Sequence, residues 1–187
     1  MSDIVVEVLN ADDWATYRAV RLSALEESPQ AFTASYADES QMDESAWRDR
    51  MQRAVRFLAT QDSKPLGVAS LGLDGDDPGV GEVFGLYVQP PARNQGVSWR
   101  LVQAAAERAR SDGLRSLHYW VGTENARAIA FAANFGFRPA GERRQTRVLN
   151  EEFGEQEIAM VLSLQADPGA VPNPNRGRVT PSGGAQS

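Results

Sequence analysis

The sequence predicts an α/β fold: a mixed, mostly antiparallel central sheet with helices on both faces. Three observations carry that expectation. Short β-branched runs alternate with segments in which apolar residues recur at helical period. Two of the runs, 55–60 and 66–73, are joined by the turn Asp62-Ser63-Lys64-Pro65 and read as a hairpin. The elements follow in the order β-α-α-β-β-β-α-β-α-β-β.

Ile4 to Leu9 is short and β-branched, a strand. Ala11 to Ser28 is a helix, because Trp14, Tyr17, Val20, Ala24 and Leu25 fall on one arc; Pro29 ends it. Asp43 to Ala54 is a second, shorter helix, followed by the hairpin. Asp74 to Gly81, DGDDPGVG, is a loop by composition. Glu82 to Val88 is a strand, and Gln89 to Gln95 connects it to a helix over Gly96–Ser111. That helix sets Val97, Leu101, Val102, Ala105 and Ala109 on one face, and Asp112-Gly113 stops it. Leu117 to Val121 is a strand. Asn125 to Phe135 is a helix closed by Gly136. Ala140 to Leu149 and Gln156 to Leu164 form a last antiparallel pair.

The chain of 187 residues reads as one domain over residues 1–166. Residues 167–187 are rich in Pro, Gly, Ser and Asn and hold no aromatic. They offer too little burial to offset their ordering entropy, so a disordered tail is expected.

Composition narrows the chemistry. There is no cysteine, which excludes a disulfide scaffold, a thiol nucleophile and a cysteine metal site. A lone histidine, His118, argues against a histidine-built zinc site, and no metal is expected. A net charge of −6 argues against nucleic acid and suits a cationic small molecule better. No apolar run approaches membrane-spanning length, and the first ten residues lack a basic region before an apolar one. The expectation is therefore a cytoplasmic protein with no membrane partner. The oligomeric state is open, a homodimer included.

The most informative stretch is Leu86-Tyr87-Val88-Gln89-Pro90-Pro91-Ala92-Arg93-Asn94-Gln95-Gly96-Val97-Ser98, a strand running through a short loop into a helix. First-turn amides have no partner within a helix, and the dipole adds positive charge there. Such a joint suits a pyrophosphate. Gly96 lets the backbone approach a ligand with no Cβ in the way. Arg93 can add a full charge.

Here the sequence resembles the GCN5-related N-acetyltransferase (GNAT) superfamily. Its acetyl-CoA signature, Q/R-x-x-G-x-G/A after a strand of L-Y-V-x-P type, is matched by Arg93 to Ser98 after Leu86 to Pro90, with Ser98 in the last small position. A second signature, N-x-x-A-x-x-F-Y-x-x-x-G-F, is matched by Asn125, Ala128, Phe131, Gly136 and Phe137. The resemblance covers about residues 3 to 164. It implies acetyl transfer from acetyl-CoA, as co-substrate, to a primary amine on a small molecule or a protein. It further implies that backbone amides of Leu86, Tyr87 and Val88 meet the pantetheine and acetyl oxygen. Arg93, Asn94, Gln95, Gly96, Val97 and Ser98 hold the pyrophosphate. Asn125 contacts the pantetheine arm, and Phe131 packs near the thiol.

Ala132 stands where the family often has a tyrosine that protonates the leaving thiolate. Tyr119 and Tyr87 are the candidate substitutes. Glu82 lies eleven residues before Arg93, the offset of the family's general base, and His118 is the second candidate base. Trp14, Trp47 and Trp99 read as helix packing, with a contact to the cofactor's nucleotide end as the second reading for Trp99. Phe32, Tyr36, Asp38 and Glu39, in the loop after the first helix, are candidates to receive the amine. The alternative readings are a non-catalytic acyl-CoA-binding module of the same fold and a transferase for a longer acyl group.

Overall fold

The structure, a computed structural model, describes residues 3–146 and 156–165. The expected tail and residues 147–149 of the penultimate strand lie outside the described residues. Seven strands form one sheet in the order β1-β2-β3-β4-β5-β7-β6: β1 (Val5–Leu9), β2 (Val55–Gln61), β3 (Lys64–Leu73), β4 (Val80–Val88), β5 (Ser116–Gly122), β6 (Arg138–Gln145) and β7 (Gln156–Ser163). Neighbours are antiparallel except β4 and β5. Right at that exception the chain inserts α4 (Val97–Ser111), because parallel strands need a crossover.

Alternation along the strands sends side chains to two separate cores. On β2, Phe57 and Ala59 pack with α4, whose Leu101, Val102, Ala105 and Ala109 are fully buried, as their helical spacing predicts. Leu58, between them, packs on the opposite face with α1 (Trp14–Glu27) and α3 (Glu44–Gln52), through Tyr17, Leu25, Trp47 and Met51. α5 (Ala126–Phe135) covers β5 and β7.

Several boundaries differ from the sequence reading. The first helix starts at Trp14, because Asn10 and Asp13 form a capping box around a 3-10 turn at Ala11–Asp13. A short α2 (Tyr36–Ser40) forms where a loop is expected; Ser35 caps it by accepting from the Asp38 amide at 3.1 Å. β3 begins at Lys64, because Asp62 and Ser63, both at positive φ, complete a two-residue turn. β4 starts at Val80 and β6 at Arg138, two residues early in each case. Among the described residues, no helix is long and apolar enough to cross a membrane.

Candidate functional site

Val83 and Tyr119 are the last parallel pair between β4 and β5. Past them the strands part. A bulge drives the parting: Ser70 faces Phe84 and Val68 faces Tyr87, so Gly85 and Leu86 together oppose Ala69. Gly85 takes φ +61°, which only glycine adopts at little cost. The Gln89 N–H still donates to Leu66 O at 2.8 Å. By alternation the Val88 peptide turns away from β3 and toward the gap.

A cleft of about 920 Å³ fills the opening between the strands. Leu86, Tyr87 and Val88 line one side, Tyr119 to Gly122 the other, and the N-termini of α4 and α5 close its end. At α4, Asn94 (φ +63°) and Gly96 (φ +82°) both take left-handed conformations around Gln95. Such a turn gathers backbone N–H groups into an anion-binding concavity. A Cβ built on Gly96 meets nothing within 4 Å, so the space in front of it is open. Asn125 caps α5 by accepting from Ala128 N at 3.0 Å, which leaves its amide NH₂ free to donate into the cleft it lines. The open anion cradle and the gap beside β4 fit a phosphorylated, extended ligand such as acetyl-CoA.

Most of the cofactor-side residues expected from sequence are therefore brought together: Leu86, Tyr87, Val88, Arg93, Asn94, Gly96, Val97, Ser98, Asn125 and Phe131 all line the cleft. Three details differ from expectation. Gln95 does not line it; its side-chain amide donates to Pro91 O at 2.7 Å. The Arg93 guanidinium donates to Val88 O at 3.0 Å and pairs with Glu27 at 2.9 Å, while the residue also lines the cleft. The Asn94 side chain accepts from Arg127 of α5 at 2.9 Å, tying the two helix N-termini together. Trp99 lines the cleft and stacks on Phe135 at 4.6 Å.

Tyr119 sits at the vertex of the splay and lines the cleft. Its ring meets Phe137 edge-on at 6.2 Å, and burial pushes its hydroxyl up to about 12. Tyr87 also lines the cleft; burial, followed by the nearby Glu27 charge, raises its pKa. Ser28, then Arg93 and Tyr87, hold the Glu27 carboxyl below the usual carboxylate range despite partial desolvation. Ala132 is fully buried in the core and does not line the cleft, so a larger side chain there starts from packed surroundings.

Glu82 and His118 are register partners on the sheet face opposite α4. Neither lines the cleft. Arg144 joins them to its edge: it lies 4.2 Å over Trp120, pairs with Glu157 at 2.6 Å and approaches Glu82 at 3.6 Å, while Trp120 and Glu157 line the cleft. His118 Nδ1 is buried with no hydrogen-bond partner among the described residues. Among the acceptor-loop candidates, Phe32 lines the cleft. Glu39 does not fit the role of amine receptor: it is buried and neutralised by Arg21 at 3.0 Å and Arg50 at 2.7 Å. Sequence reasoning missed Glu27 and Arg144, which lie 66 and 62 positions from the partners that give them meaning. Among the described residues, no group of three His, Cys, Asp or Glu could hold a metal ion.

A profile described as "Acetyltransferase (GNAT) family" matches residues 21–137, more than half of the sequence. The chain belongs to the GNAT acetyltransferase family. A mycothiol acetyltransferase of Pseudarthrobacter chlorophenolicus is 31% identical over 115 residues, which cover 60% of this chain and 35% of that protein. The GNAT chain therefore spans about a third of that relative's length. An L-methionine sulfoximine/L-methionine sulfone acetyltransferase of Pseudomonas aeruginosa is 30% identical over 128 residues, covering 66% of this chain and 73% of that protein. Among solved structures, an N-acetyltransferase of Staphylococcus aureus Mu50 superposes with a TM-score of 0.68 at 21% identity, covering 88% of this chain and all of the other. The protein yncA of Salmonella typhimurium, solved with its cofactor acetyl-CoA, gives 0.65 at 18% identity over 91% of this GNAT chain and 98% of its own. At these identities the structural matches establish the fold.

Proposed function

We propose that this protein transfers an acetyl group from acetyl-CoA to a primary amine by direct attack within a ternary complex. The observation that carries the reading is the parting of β4 from β5 beyond Val83 and Tyr119, with the Asn94–Gly96 turn opening onto the same cleft. In this reading the 94–98 backbone and the α4 dipole hold the pyrophosphate. The turned-out Val88 peptide aligns the pantetheine, and the free β4 amides polarise the thioester carbonyl.

The acceptor arrives as an ammonium and gives one proton to a base. Its lone pair then attacks the carbonyl carbon, the C–S bond breaks, and the new amide nitrogen sheds a second proton. The thiolate sulfur takes up one proton, so one is released overall. Glu82 is the base on the acceptor side, directly or through water, with His118 beside it in register. Tyr119 is the proton donor to sulfur. It lines the cleft at the vertex, and its raised pKa keeps it protonated. Arg93 braces the loop through Glu27 and, lining the same cleft, adds positive charge beside the pyrophosphate.

The test is calorimetry with acetyl-CoA, followed by thiol release against a panel of amines. Saturable binding with thiol release supports transfer. Binding without release from any amine supports the non-catalytic acyl-CoA module, and no binding overturns both.

A further inference from the structure

Behind Phe32, which lines the cleft, lies a cluster of arginines with too few carboxylates among the described residues. Arg21 of α1 holds Glu39 through two hydrogen bonds of 3.0 Å, and Arg50 of α3 holds the same carboxylate at 2.7 Å. Arg56 of β2 is 5% exposed and pairs with no carboxylate among the described residues. It donates to Ser70 Oγ at 2.6 Å and to Arg50 O at 2.9 Å, and its Nε is buried with no partner among the described residues. Burial lowers its pKa, and the charges of Arg50 and Arg21 press in the same direction, against opposing contributions from Tyr17 and Glu39. Among the described residues, two guanidinium groups thus share one carboxylate and the third has none. Unbalanced buried charge is costly unless something else neutralises it.

The cluster meets two rings, of which Phe32 belongs to the cleft. Arg21 sits 4.6 Å over Phe32, which lines the cleft and packs against Tyr87. Arg56 sits 5.5 Å from the centroid of Phe84, a partly exposed ring immediately before the Gly85 bulge. Glu82 lies two residues from Phe84 on the same face of β4. Positive charge and negative charge are therefore set side by side around Phe84. That pairing suits a small zwitterion better than a plain amine or a polyamine.

We infer that the acceptor is a free amino acid, its carboxylate neutralising the Arg21–Arg50–Arg56 cluster while its ammonium lies toward Glu82. The inference rests on the acetyl-transfer reading for the fate of the amine. The carboxylate site itself stands on the charge imbalance.

The common amino acids are presented as free acids, as carboxamides and as decarboxylated amines. Thiol release is measured with acetyl-CoA, and calorimetry on the complex with CoA measures binding. At least one free acid should be preferred over its carboxamide by roughly tenfold or more in kcat/KM, the scale of a charge-assisted hydrogen bond. In Arg50→Gln, Glu39 keeps both hydrogen bonds to Arg21, so folding is expected to survive, and a thermal melt checks it. The acid-over-amide preference should fall by about the same factor, mainly through KM. Arg21→Lys gives a second reading if Arg50→Gln does not fold. Equal or better turnover of amides and decarboxylated amines overturns the inference while leaving acetyl transfer intact. If no amine of any kind releases thiol, acetyl transfer fails. Calorimetry then decides the carboxylate site: binding of a free acid but not its amide supports it, and absence of such binding overturns it.

Discussion

Tyr119 pairs with Val83 in the last parallel rung between β4 and β5, so its backbone stands where the two strands begin to part, and the residue lines the cleft that opens there. Burial raises its pKa to about 12, which keeps the phenol protonated throughout the neutral range. Tyr119→Phe should slow thiol release by about a hundredfold, the usual contribution of a general acid, with acetyl-CoA affinity unchanged. Stopped-flow thiol detection and calorimetry check the pair of outcomes. A full rate in the variant would return the role to solvent.

Glu82→Gln addresses the other proton. The variant should lose most activity at low pH, where the acceptor amine is ammonium and needs a base. A deficit of about a hundredfold that shrinks as pH rises is expected in kcat/KM profiles. Arg144 remains paired with Glu157, so the fold should tolerate the change. Equal rates across the range would move the base to His118 or to water.

Gly96→Asp should weaken acetyl-CoA binding by roughly a hundredfold. The space in front of Gly96 admits a side chain, but φ +82° strains any residue other than glycine, and the added charge faces the proposed pyrophosphate seat. Gly96→Ala carries the strain without the charge and should bind much more tightly than the aspartate variant. Calorimetry on both separates geometry from electrostatics. Equal affinities for the two would show that no anion lies there.

Glu39→Gln is a stability test. Burial raises the Glu39 pKa, but hydrogen bonds and charges from Arg21 and Arg50 outweigh it, so the folded value lies below the ordinary 4.5. A depressed carboxylate pKa stabilises the fold above the unfolded value, and that contribution is lost as pH falls through the folded one. The substitution should cost about 3 kcal/mol at pH 7, because it leaves buried guanidinium groups without their carboxylate. Urea unfolding of both proteins should show the gap narrowing once pH drops well below 4.5. A gap independent of pH would mean that Glu39 acts by shape alone.

Much of this protein was legible in the sequence because its signals are local. The α4 stripe from Val97 to Ala109 recurs at helical period, and its members are buried where that period places them. The anion-binding joint at Gly96 could be read because a strand runs through a short loop into a helix at a residue with no Cβ, although its left-handed conformation was not foreseen. Two signatures separated by a strand named the family. The short helix at Tyr36–Ser40 escaped because five residues hold barely one helical turn, and Ser35 capping with packing against α1 decides it.

What only tertiary structure decided is where each polar side chain spends its charge. Arg93 reads as a phosphate ligand from its motif, yet the fold gives it Glu27, 66 positions earlier. Glu39 reads as a candidate amine receptor in a loop, yet packing of α2 on α1 buries it between Arg21 and Arg50. Ala132 occupies a signature position, but α5 turns it into the core. Periodicity reports which face of an element is apolar. It carries no record of which distant charge that face will meet, because partners are chosen by the three-dimensional packing that excludes water from both.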